Sequence, residues 1–190
     1  MLNNIKRLAA FSLALLLCLP LASCSDELSP FKSALRKEPQ RCTVTTSLDS
    51  ALGMLTAEYA AEYKSDLIEV IYEKDSLGKL DESTGEDGII IRTPGTAVID
   101  KDGSVEGELG ALVLSVITRN IRLDNDSIAY TLGAEVLSFT VKSGNCERVL
   151  GVDLGYDAEV EIFLSDDALS KITVKYTTAS GDAMLEAKYE

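Results

Sequence analysis

The chain has 190 residues, neither histidine nor tryptophan, and 31 acidic against 18 basic residues, for a formal charge of −13. Without histidine there is no Ser-His or Cys-His nucleophile pair, no histidine-bearing zinc site and none of the commonest general base. The acidic balance argues against nucleic acid or bare anionic lipid as an electrostatic partner, and the length suits one domain with an extension.

The start of the chain carries the most specific signal. Lys6 and Arg7 precede an apolar run from Leu8 to Leu21, which is the charged-then-apolar layout of a secretory signal. The run is too short to span a hydrocarbon layer of ~30 Å, which needs about 20 apolar residues in a helix. It ends in Leu21-Ala22-Ser23-Cys24. These four residues resemble the lipobox of bacterial lipoproteins. The resemblance implies cleavage before Cys24, a diacylglyceryl group on its sulfur, and an extracytoplasmic protein anchored to the cell membrane or, in a Gram-negative cell, the outer membrane. A single acyl chain anchors reversibly, and two or three on one cysteine anchor stably. Cleavage would remove Lys6 and Arg7 and no acid, leaving 167 residues with 16 basic and 31 acidic, a formal charge of −15.

The expected organisation is a signal peptide over 1–23, a lipidated tether over 24–40, and a single β-rich domain over 41–190. Pro30 and Pro39 punctuate the tether, with at most one helical turn near Phe31–Lys37. Next, Cys42, Val44, Thr46 and Leu48 alternate with polar residues, as do Leu55, Ala57, Tyr59, Ala61 and Tyr63. Leu48, Leu52, Leu55, Tyr59 and Tyr63 also fit a helical face. The strand reading covers more residues and makes 49–53 a turn, since Gly53 would cost a helix about 1 kcal/mol. Leu67–Glu73 is rich in β-branched and aromatic residues and reads as a strand. Residues 75–88 are polar and glycine-containing, a loop, and Ile89–Ile91 opens another strand. Asp102-Gly103, between Thr96–Ile99 and Ser104–Leu109, is a hairpin signal. Leu112–Thr118 and Glu135–Val141 are predicted strands, and 120–130 shows no clear pattern. At the end, Ala158–Leu164, Ile172–Tyr176 and Leu185–Tyr189 alternate cleanly and predict a meander with one apolar and one wet face.

No Gly-x-Ser-x-Gly elbow, phosphate-binding glycine loop or Cys-x-x-Cys occurs, so no catalytic residues, metal ligands or cofactor are assigned. Asp100–Gly103 departs from the calcium-loop pattern, with Val105 and Ala111 where glycine and glutamate belong. Asp166-Asp167 reads as a turn. Once Cys18 leaves with the signal and Cys24 takes lipid, Cys42 and Cys146 remain, either as a disulfide closing a long loop or as two buried thiols.

The predicted fold is mainly β with few helices, either a curved antiparallel sheet forming a half-barrel or a β-sandwich. Over residues 40–190 the pattern of long amphipathic strands is similar to the lipoprotein-carrier superfamily. That likeness implies a half-open barrel holding acyl chains, and a non-enzymatic protein binding a lipid or other hydrophobic ligand. Leu55, Ala57, Tyr59, Ala61, Tyr63, Ile68, Val70, Tyr72, Val160, Ile162 and Leu164 would line the cavity. The competing expectation is an Ig-like or adhesin-type sandwich with a filled interior, binding a protein or glycan through its surface.

Overall fold

The computed structural model describes residues 26–50, 53–64, 67–75, 89–92, 96–98, 107–123 and 128–190. The signal segment, Cys24, the 75–88 loop from residue 76 onward, the Asp102-Gly103 hairpin and Asp124–Asp126 lie outside them. The chain divides into two compact units, Met1–Pro30 and Phe31–Glu190. Within the first, Asp26 makes a tight turn: its carboxylate accepts from the Leu28 N–H at 3.1 Å and its carbonyl from the Ser29 N–H at 2.7 Å.

Helix α1 (Ser29–Arg36) crosses that division and buries Phe31, Ala34 and Leu35. These positions are three and four apart, one stripe of a helix. The single helical turn foreseen near Phe31–Lys37 is a packed helix of eight residues.

All ten strands of the described residues belong to one antiparallel sheet, so the half-barrel branch of the expectation holds and the two-sheet sandwich does not. The strands are β1 (Arg41–Ser50), β2 (Gly53–Tyr63), β3 (Leu67–Asp75), β4 (Ile89–Arg92), β5 (Thr96–Val98), β6 (Tyr130–Leu132), β7 (Val136–Val141), β8 (Ala158–Ser165), β9 (Ala168–Thr178) and β10 (Gly181–Tyr189). Their order is β5-β4-β3-β2-β1-β10-β9-β8-β7-β6. Two meanders thus meet where the first strand pairs with the last, Cys42 opposite Tyr189 and Leu48 opposite Ala183. The sheet is curved and unclosed. Register shifts at Glu58/Tyr59 and Phe163/Leu164 are bulges of the kind that bend a strand.

Strand alternation puts one apolar row after another on a single face. One row runs Leu137, Ile162, Ile172, Ala187, Val44 and Tyr59. These side chains are 7 % exposed or less. The opposite face carries Ser138, Glu161, Thr173, Glu186, Thr45 and Glu58 at matching positions.

Between the two meanders lies helix α2 (Gly107–Ile117). Leu112–Thr118 and residues 107–109 were expected to be strands, and this expectation is corrected. A short continuous apolar run cannot be told from a buried helix by its period alone. Helix α3 (Cys146–Leu150) follows a 3₁₀ turn at Ser143–Asn145 and ends on Gly151 with φ +70°. Asp166 and Asp167 have φ of 51° and 60° and form the two-residue turn between β8 and β9. Both central residues with positive φ mark a type I′ hairpin.

Gly181 opens β10 with φ +145°, and a Cβ there would stand 2.1 Å from the Asp49 carbonyl oxygen. Both the dihedral and the close approach exclude a side chain. Gly181→Ala should lower unfolding free energy by about 1–3 kcal/mol. Gly144→Ala, where a Cβ meets nothing within 4 Å, should change it by under about 0.5 kcal/mol. Urea denaturation of both variants measures the difference, and equal effects would contradict this account of the β1–β10 junction.

Candidate functional site

The predicted cavity residues do share one face of one sheet. Ala61 sits opposite Val70 and Tyr63 opposite Ile68 on one flank, and Val160 and Ile162 lie on the other. Between the flanks stand residues the sequence reading did not assign: Val44 on β1, Leu185, Ala187 and Tyr189 on β10, and Ile172 and Val174 on β9. Ala61, Val70, Val160 and Ile162 are at most 1 % exposed, Ile68, Tyr59 and Leu164 at most 7 %. Leu55, Ala57 and Tyr63 are half-buried, and the Tyr72 side chain lies outside the described residues. A side chain at 0 % exposure borders no space that a water molecule could enter, so the face is packed where these residues sit.

What packs on it is α2, which contacts β1 and β10. Its sequence, Gly-Glu-Leu-Gly-Ala-Leu-Val-Leu-Ser-Val-Ile, is apolar on nearly every side, the signature of a helix inside a core. Val44 of β1 and its partner Ala187 of β10, one β-branched and one small, are fully buried on this face.

The last turn of α2 is fixed by polar contacts. The Tyr63 hydroxyl donates to the Ile117 carbonyl at 2.5 Å and the Tyr189 hydroxyl to the Val116 carbonyl at 2.7 Å. Ser115 donates its hydroxyl to the Leu150 carbonyl of α3. Terminal helix carbonyls lack intrahelical partners, so two strands complete what the helix cannot. The turn closes as a Schellman motif: Asn120 N–H reaches the Ser115 carbonyl at 2.9 Å and Arg119 N–H the Val116 carbonyl at 3.1 Å. The left-handed position is filled by Arg119, φ 55°, where glycine is usual and a side chain costs about 1–2 kcal/mol.

Arg119 lies over the Tyr63 ring, 5.2 Å from its centroid, and donates through Nη1 to the Lys37 carbonyl. Its Nε is buried without a hydrogen-bond partner. Beside it is Cys42, fully buried. Burial pushes the Cys42 thiol from 9.0 up to about 12, against smaller opposing effects of Tyr63, Tyr189 and Arg119. Burial likewise raises both tyrosine hydroxyls above their ordinary 10.0.

Cys42 and Cys146 are free thiols. Cys146 Sγ sits 3.3 Å from the Tyr156 carbonyl and 3.6 Å from that of Lys142, a different neighbourhood from the tyrosine pair around Cys42. The disulfide alternative is thereby corrected to two buried thiols. Among the described residues no three His, Cys, Asp or Glu side chains are grouped to hold a metal, and no helix is long and apolar enough to cross a membrane.

The polar face has its own hollow, a groove of about 690 Å³ bordered by Ser47, Met54, Glu159, Lys175 and Met184. Met54 and Met184 are among the exposed large hydrophobic residues, at 63 % and 36 %.

No protein-family profile matches the chain, and no curated protein does. Among solved structures it is similar to a redesigned β-barrel, mFAP1, bound to DFHBI, with 12 % identity over 83 % of this chain and 98 % of that one, and a TM-score of 0.26. A second redesigned β-barrel gives 11 % identity, 83 % and 95 % coverage, and a TM-score of 0.24. Similarity at this level says nothing about function.

A buried acid whose pKa is raised by folding stabilises the fold only while protonated. The Cys42 contribution is therefore intact below pH 9 and lost as pH climbs toward 12. The melting temperature should fall from about pH 9 upward, and Cys42→Ala should fall less steeply between pH 9 and 10, where the thiol of the unfolded chain ionises before its tyrosines. Parallel curves for parent and variant, followed by circular dichroism, would contradict a strained alkaline thiol.

Proposed function

We propose that this chain is a non-enzymatic, extracytoplasmic lipoprotein, anchored through lipid on Cys24, whose half-barrel holds a lipid or other hydrophobic ligand between α2 and the apolar sheet face. The observation that carries the reading is the pairing of a continuous apolar face with a helix whose described side chains are, Ser115 apart, all apolar. An ordinary amphipathic helix shows its polar side to water when lifted. Here both surfaces of the seam are hydrocarbon, and an acyl chain sliding between them exchanges one apolar contact for another.

The ties around α2 support the same reading. Its described polar contacts to the rest of the domain cluster in the last turn, at Ser115, Val116 and Ile117. A helix held this way swings about its C-terminal end at the expense of packing rather than hydrogen bonds. A half-open barrel plugged by helices is also what the lipoprotein-carrier likeness implies. The lipobox residues Leu21-Ala22-Ser23-Cys24 supply the anchoring half of the proposal, and an acidic, phosphate-repelling polar face suits a domain standing off a bilayer.

A second reading places function on the polar face, because the groove beside Met54 and Met184 exposes apolar side chains to solvent. There the domain would bind a protein partner and leave its interior closed.

Expression of the full chain in a bacterial host, with mass spectrometry of the membrane-extracted product, tests both halves. The expected product begins at Cys24 with a diacylglyceryl mass, and Cys24→Ala yields unlipidated chain. A co-purifying mass that organic solvent strips off as lipid supports the interior site. Bare protein that takes up no apolar probe favours the surface reading. Tyr63→Phe unpairs the Ile117 carbonyl, at a cost of about 1–3 kcal/mol, and Tyr189→Phe removes one of the two donors to the Val116 carbonyl, at a cost of about 0.5–1.5 kcal/mol. Under the interior reading they should speed uptake of a fluorescent fatty acid severalfold in stopped flow.

A further inference from the structure

We infer that the groove of about 690 Å³ on the polar face is the docking site for a basic, amphipathic segment of a partner protein. The inference deepens the second, surface reading, on which it rests, and is independent of any ligand between α2 and the apolar face.

Strand register lays out the floor of the groove. Ser47, Met184, Lys175, Glu159 and Thr140 stand in one cross-strand row over β1, β10, β9, β8 and β7. Four interstrand steps of about 4.8 Å make this row about 19 Å long, the length of about 13 residues of α-helix. Met54 lies beside the row, opposite Asp49 of β1. All of these residues border the same groove.

Two features of different kinds define the occupant. The first is apolar. Among the described residues three large hydrophobic side chains are exposed, and Met54 and Met184 are two of them. The chain has three methionines, and the third is Met1, so both methionines beyond the start of the chain meet at one groove. A wet sheet face ordinarily carries polar side chains, as this one does at Glu161, Thr173 and Glu186. Methionine has a flexible, polarisable thioether that adapts to partners of varied shape, and it is used heavily at protein-binding surfaces.

The second feature is charge. Asp49, Asp157, Glu159 and Asp182 border the groove against Lys142 and Lys175. Lys142 is already engaged with Asp157 at 2.6 Å. The groove therefore carries a formal excess of two negative charges, which attracts a basic partner and repels an acidic one. Nucleic acid and anionic headgroups bring the wrong sign. A segment with leucine-like side chains for the two thioethers and lysine or arginine for the acids satisfies both features, in the manner of an amphipathic helix laid into a groove.

The test titrates the full chain, labelled with ¹³C-methyl methionine, with amphipathic peptides of about 14 residues. The peptides share one leucine pattern and carry Lys, Gln or Glu at the polar positions. The Lys peptide should shift the Met54 and Met184 methyl signals and bind at least about tenfold more tightly than the Glu peptide, the gap narrowing as salt rises. Asp49→Lys with Glu159→Lys, both exposed, should weaken the Lys peptide at least about tenfold. Glu62→Lys with Glu147→Lys makes an equal change of charge at exposed sites outside the groove, and should weaken it by no more than about twofold. Met54→Ser with Met184→Ser should weaken it by about tenfold and leave the melting temperature within about 4 °C of the parent. Equal loss in the two charge-reversed pairs, or binding that leaves both methionine signals in place, reduces the effect to net charge and overturns the proposal. Signals that move equally with all the peptides keep the surface reading and overturn the basic partner. No movement with any peptide ends both.

Discussion

The pairing of β1 with β10 is the constraint on which the rest of this structure depends. It joins residues 41–50 to residues 181–189, nearly the whole domain apart in sequence, and it alone makes one sheet of two meanders. Its register decides which face is apolar. Were β10 to slip by one residue, Lys188, Glu186 and Met184 would replace Tyr189, Ala187 and Leu185 beneath α2, because side chains alternate with a period of two. Cys42 would lose Tyr189 from its side, and the Val116 carbonyl would lose one of its two donors. Gly181 guards this register at one end, where the Asp49 backbone leaves no room for a Cβ. At the other end the Gln40, Arg41 and Glu190 backbones close on each other through three hydrogen bonds of 2.6, 3.2 and 2.9 Å. Such long-range pairing must pay loop-closure entropy before any contact is gained, which makes it late and slow in folding.

Much of the sheet was legible in the sequence because its signal is local. The Ala158–Leu164, Ile172–Tyr176 and Leu185–Tyr189 runs alternate cleanly and lie within a few residues of the observed strands, and the Cys42–Leu48 and Leu55–Tyr63 runs resolve as strands rather than a helix. Each is a strand with one packed and one wet face, so its own composition reports its environment. What escaped was decided by tertiary context. Helix α2 is rich in Leu, Val and Ile, residues equally suited to a buried strand, and only its position over β1 and β10 makes it helical. Phe31 and Leu35 of α1 were read as tether because eight residues between prolines carry too little pattern to show a buried stripe. The bulges in β3 and β9 leave no mark in composition.

The candidate site was half legible for the same reason. Its flanks, Ala61 with Val70 and Val160 with Ile162, follow from alternation. Its polar end could not. Cys42, Tyr63, Tyr189 and Arg119 come from three strands and the turn that follows a helix, and nothing in sequence spacing relates them. One signal was present but ambiguous. Tyr63 and Tyr189 each end a strand on the apolar face, and a tyrosine in a buried row needs a partner for its hydroxyl. That requirement points to a backbone acceptor across the core, and the α2 carbonyls supply it.

Electrostatics separates the two faces into different kinds of surface. On the polar side, acids outnumber bases and the cations are largely engaged: Lys188 and Lys171 reach Glu186 at 3.0 and 3.7 Å, Lys142 pairs with Asp157 at 2.6 Å, and Lys171 also sits over the Phe163 ring. These exposed pairs add little stability, but they leave that face with few free positive charges. On the apolar side a guanidinium stands at the edge of a region where charge is scarce and the local dielectric low, so its field is weakly screened.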